Sequence, residues 1–155
     1  MQALRVRHLV VVLVGVAVAA AGCGSSSSSQ SPAQATSQIT ATWESFFSSS
    51  GTANQIQGMN PQLHTVYARA VSTLFPKGLS SKVHSVTLLS SSECQSNGIP
   101  APCAKVTYDL DAKGSTLLPN ANGYATRAGG TWYVSKNTFC ALLALSSGGT
   151  PPAGC

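Results

Sequence analysis

The spacing of apolar residues changes several times along the chain, and each change predicts an element. Leu9 to Ala21 is one uncharged apolar run, LVVVLVGVAVAAA. As a helix its 13 residues would span about 20 Å, short of the ~30 Å hydrocarbon core of a bilayer. Residues 24–38, GSSSSSQSPAQATSQ, then offer no charge and no large apolar side chain. Such a stretch cannot bury enough surface to offset the entropy of ordering it, which predicts a flexible tether. Helical spacing follows: Ile39, Trp43, Phe46 and Phe47 fall at i, i+4, i+7 and i+8. They predict a helix over roughly 37–49, capped by Ser37 or Thr36 and ended by Ser48-Ser49-Ser50-Gly51. A second helix is expected from the Asn60-Pro61 start through Leu63, Val66, Tyr67, Ala70, Val71 and Leu74, stopped by Pro76 and Gly78.

From Lys82 the period becomes two. Val83 to Leu89 is rich in β-branched residues, and strict alternation would put His84, Val86 and Leu88 on one face. In 103–111, Ala104, Val106, Tyr108 and Leu110 face one way and Lys105, Thr107, Asp109 and Asp111 the other. Tyr124–Ala128 and Thr131–Ser135 flank Gly129-Gly130, a dipeptide suited to a two-residue hairpin turn. Phe139, Leu142, Leu143 and Leu145 predict a short last helix. Two helices, about four strands and a helix in that order imply an α+β domain, with helices packed on a curved antiparallel sheet.

Composition narrows the setting. The 155 residues leave room for one domain, and the charged share is only 8%. Much of the polarity is neutral, with 23 serines. Formal charge is +5, or +3 without Arg5 and Arg7, and it is scattered. That excludes a nucleic-acid partner as the expected one. Arg5, Arg7 and His8 ahead of the short apolar run describe an export signal. The run ends in Ala20-Ala21-Gly22-Cys23, which resembles the bacterial lipoprotein signal. That resemblance implies cleavage before Cys23 and diacylglycerol on its thiol. The expected organisation is a signal at 1–22, lipidated Cys23 with a tether to residue 38, and one domain at 39–155. The protein would sit on the extracytoplasmic face of the cell membrane, its membrane contact made through the lipid on Cys23.

Outside the cytoplasm the other cysteines, Cys94, Cys103, Cys140 and Cys155, are expected in disulfides. Three pairings are open to four cysteines. Nearest-neighbour pairing, Cys94–Cys103 and Cys140–Cys155, closes a Gly- and Pro-containing loop between two strands and ties down a Gly- and Pro-rich tail. No Cys-x-x-Cys is present and only His64 and His84 lie beyond the signal, so no metal site is expected.

The segment Gly129-Gly130-Thr131-Trp132-Tyr133-Val134-Ser135, followed by Phe139-Cys140-Ala141-Leu142-Leu143, resembles the end of the low-molecular-weight secreted antigens and related lipoproteins of mycobacteria and other actinobacteria. The order of elements over residues 37–146 agrees with it. The resemblance implies a small cone-shaped α+β domain like that of the nuclear-transport-factor-like superfamily, export, immunogenicity, and no established catalytic activity. The additional cysteines depart from that pattern.

No nucleophile elbow, zinc-protease helix, P-loop or dinucleotide glycine pattern occurs, so no catalytic residue and no cofactor are expected. The carboxylates Glu44, Glu93, Asp109 and Asp111 are expected in solvent. The expected function is a non-enzymatic binding or interaction module for an apolar ligand or an envelope protein. Its pocket would collect His84, Val86, Leu88, Tyr108, Tyr124 and Trp132. The alternatives are a structural spacer of the cell wall and a small isomerase- or hydratase-type enzyme using His84, which would need His84 paired and buried, preferably near Asp109.

Overall fold

The computed structural model describes residues 30–48, 51, 53–58, 61–73 and 78–155. The export signal, Cys23, the tether as far as Ser29, the Asn60 cap and the Pro76 stop lie outside the described residues.

Helix α1 runs over Pro32–Phe46, earlier than its large apolar residues predict. Ser31 and Gln34 form a capping box and proline occupies the first turn, an arrangement that starts a helix without large side chains. Ala35 is buried on its inner face. The folded part therefore takes in residues 32–38, which composition assigned to the tether. Helix α2 is Pro61–Thr73. Four strands follow, β1 (Leu79–Leu88), β2 (Cys103–Ala112), β3 (Ser115–Ala128) and β4 (Thr131–Val134), with the short helix α3 (Ser91–Ser96) between β1 and β2. Helix α4, Lys136–Ser146, comes last. The strands form an antiparallel meander in chain order, curled into a half-barrel. The fold is α+β, as the periodicities imply. Gly129 and Gly130 make the β3–β4 turn with φ of 56° and 87°, the left-handed region that this hairpin type requires.

The alternation in β2 sorts its residues as expected: Ala104, Val106, Tyr108 and Leu110 are buried. Helix α1 lies across this concave face and touches β1 and β4. Trp43 meets Tyr108 edge-on at 5.2 Å, and Phe47 stacks on Tyr108 at 5.5 Å. Phe46 and Tyr67 both pack on Phe139, which brings α1, α2 and α4 together. Gly123 lies directly against Trp43, since a Cβ there would stand 2.7 Å from its ring. Ser135 caps α4, and Thr138 Oγ1 accepts the Tyr124 N–H at 2.7 Å, stitching that helix to β3.

Strand β1 does not keep strict alternation. A bulge between Val83 and Ser85 leaves His84 out of the residue-by-residue register with β2. One extra residue in a strand re-aims the side chains on either side of it. Val83 and Val86 consequently pair with Tyr108 and Val106 on the concave side, while His84 turns to the convex side. The expectation that His84 and Val86 share a face is corrected by this bulge.

Burial pushes the Tyr108 hydroxyl up to about 12, and among the described residues it has no hydrogen-bond partner. An unfolded chain ionises tyrosine near pH 10. Its folded pKa being the higher, stability from this group is complete below pH 10 and is lost as pH rises towards 12. The loss should approach about 2–3 kcal/mol. Tyr108→Phe should lack it, and urea titrations of both proteins at pH 9 and pH 12 measure the difference. Equal alkaline losses in the two proteins would contradict the assignment.

Candidate binding groove

The sheet separates the residues expected to form one pocket. Tyr108 and Trp132 are buried in the core, the Trp132 indole donating to Gln30 Oε1 at 2.9 Å. Val86 packs against that core from β1, and Leu88, opposite Ala104 at the strand end, is 40% exposed. Tyr124 pairs with Lys105 on the convex side and donates to Asn97 Oδ1 at 2.7 Å. There it borders a small second core of Cys94, Ile99 and Cys103 under α3. The side chains meant to converge thus serve two faces of one sheet, and the concave interior is filled by Trp43, Phe47 and Tyr108.

On the convex side the bulge does bring His84 to Asp109, with Nε2 2.9 Å from Oδ2. Asp109 also accepts the Asn120 N–H at 2.8 Å. That backbone bond, then the His84 bond and the charges of His84 and Lys82, hold its carboxyl below the usual value. The pair is the one an acid–base enzyme would need, but the two side chains are 34% and 24% exposed. Neither residue lines the groove between α2, α4 and the C-terminal tail.

That groove is partly enclosed and has a volume of about 510 Å³. Its size falls within the range of small-molecule sites, roughly 300–1,000 Å³. Helical spacing builds it. Leu63, Tyr67 and Ala70 turn α2 towards the core, while Val66 and Arg69 lie on the flank of the same stripe. The small Ala70 leaves space before Leu143 of α4. Pro152 supplies the third wall, and Ser146 and Ser147 line the remainder. Their hydroxyls are turned onto the helix backbone: each donates to the Leu143 carbonyl at 2.8 Å. The groove is therefore mostly apolar, and Arg69 is the cationic residue among those that line it. No groove residue belongs to the pocket expected from sequence. Val66, Ala70 and Leu143 carried the signal in their helical spacing, but that spacing reads as core.

Two disulfides are present, Cys94–Cys103 and Cys140–Cys155, with Cα separations of 5.8 and 5.5 Å. This is the nearest-neighbour pairing. Among the described residues no three His, Cys, Asp or Glu side chains gather as metal ligands, and no helix is long and apolar enough to cross a membrane.

Residues 97–150, from the end of α3 through β2, β3, β4 and α4, match the family model of the low molecular weight antigen MTB12, C-terminal domain. The chain resembles the mycobacterial secreted antigens. No curated protein and no solved structure matches it. The antigen-like segment contains Leu143, Ser146 and Ser147 of the groove, whereas Val66, Arg69, Ala70 and Pro152 lie outside it. Each disulfide joins a cysteine inside the segment, Cys103 or Cys140, to one outside, Cys94 or Cys155.

Proposed function

We propose that this antigen-like protein is exported, is anchored through a diacylglycerol on Cys23 to the extracytoplasmic face of the cell membrane, and acts as a non-enzymatic binding module. Its ligand is an amphipathic molecule whose acyl chain lies in the groove between α2 and α4. The groove carries this reading: Val66, Ala70, Leu143 and Pro152 offer an apolar wall, and Arg69 sets one cation beside it. Apolar walls with few polar groups suit a chain with a polar or anionic head. A tether that keeps the domain near the bilayer keeps it near a supply of such chains.

The experiment is a titration with a dansylated undecanoic acid, followed by its fluorescence. Val66→Trp fills the groove from a half-buried position, and binding should weaken by at least about tenfold. Leu145→Glu serves as the control, because Leu145 is 68% exposed and lies outside the groove. Equal affinity in wild type and Val66→Trp would refute the site.

A further inference from the structure

The two disulfides differ in exposure and in what they hold. Cys94 and Cys103 are 0% and 1% exposed, under α3 with Leu89 and Tyr124 against them. Cys140 is buried in α4, but Cys155 is exposed. The segment it ties down carries Pro152, the third wall of the groove.

Among the described residues, hydrogen bonds fasten that segment to α4 as far as Thr150. The Gly149 N–H donates to the Ala144 carbonyl at 2.7 Å, and Ser147 Oγ bridges the Leu143 and Thr150 carbonyls. Beyond Thr150, Pro151 and Pro152 have no N–H to donate. The Cys155 N–H turns back onto the Pro152 carbonyl, so among the described residues this last bond stays inside the tail. Pro152 is kept over α4 by the covalent bond from Cys155 to Cys140.

We propose that the Cys140–Cys155 disulfide is a redox clamp on the groove, closing it when oxidised and releasing the tail, with the bound acyl chain, when reduced. The clamp rests on the groove being the ligand site. A dithiol reductant supplies the chemistry. One of its thiolates attacks the sulfur of the exposed residue Cys155, forming a mixed disulfide and expelling the Cys140 thiolate. Its second thiol displaces Cys155 and leaves the reductant as a disulfide. Two electrons and two protons pass to Cys140 and Cys155. Burial shields Cys94–Cys103 from the same attack, because thiol exchange depends on access to the sulfur.

Graded reduction of the native protein with dithiothreitol, quenched with iodoacetamide and mapped by peptide mass, tests the order of opening. Cys140 and Cys155 should be labelled while Cys94 and Cys103 stay paired. The selectively reduced protein, and a Cys140→Ser/Cys155→Ser variant, should bind dansylated undecanoic acid at least about tenfold more weakly than the oxidised protein. Amide chemical shifts of Val66, Ala70 and Leu143 should change between the oxidised and serine forms, with those of β2 unchanged. Opening of Cys94–Cys103 first or together, or unchanged affinity after selective reduction, would overturn the clamp. If the oxidised protein binds no probe, the ligand reading fails by itself. The amide shifts then decide the clamp, and unchanged groove shifts overturn it too.

Discussion

Gly123→Val should lower the stability of the domain by about 3 kcal/mol, and Gly123→Ala by about 2 kcal/mol. The cause is space, not backbone conformation. A Cβ at 123 would stand 2.7 Å from Cη2 and Cζ2 of Trp43 and 2.8 Å from Cγ2 of Thr138. Both neighbours are fixed: Trp43 is fully buried against Tyr108 and Phe47, and Thr138 is held between Ser135 and Tyr124. Close-packed interiors relieve such an overlap by shifting backbone, which costs more than the added methyl groups gain. Chemical denaturation of the three proteins measures the loss. Trimming the indole should recover part of it, so a cycle of Gly123→Ala with Trp43→Leu should show coupling of about 1 kcal/mol or more. A Gly123→Val protein as stable as the parent would mean that the Trp43 ring does not lie against Gly123.

Cys23→Ser should move the protein from the membrane fraction to the soluble fraction. Two acyl chains on one thiol anchor firmly, each buried methylene contributing about 0.8 kcal/mol, and a hydroxyl cannot carry them by that chemistry. The fold sharpens this expectation. Because α1 starts at Pro32 and Gln30 is already bonded to Trp132, the stretch between Cys23 and the fold has fewer residues than the tether that composition implies. Seven residue steps from Cys23 to Gln30 reach at most about 25 Å, so the proposed anchor would hold the β4 end of the domain near the bilayer. Fractionation of cells expressing each form is the measurement. A serine form still wholly in the membrane pellet would exclude the thiol as the anchor.

The elements were legible wherever a single large apolar face dominates. The periods of α2, β2 and α4 and the Gly129-Gly130 turn pass directly into the structure. Three features were obscured by composition. Ser31 to Gln34 and Ser90 to Glu93 are capping boxes, but both sit in serine-rich stretches that read as coil. The early part of β3 contains Pro119, Asn120 and Gly123, each unfavourable in a strand interior. It forms because the register shifts beside Leu110, where Asp109 takes the Asn120 N–H and Asn120 adopts φ of 51°. The β1 bulge left no mark in the sequence either. It converts a face shared by His84 and Val86 into two, and the expected pocket fails with it. The groove was hidden for a different reason: it lies where two helical stripes run past each other, and spacing along one helix does not report the gap to the next.

The most direct measurement is native mass spectrometry of the full-length protein released gently from its own membrane, wild type beside Val66→Trp. Wild type should carry one acyl-bearing molecule per chain in addition to the covalent anchor, and Val66→Trp should carry the anchor alone. Wild-type protein with the anchor and nothing else, under conditions that keep the fold and both disulfides, would contradict the groove as a ligand site.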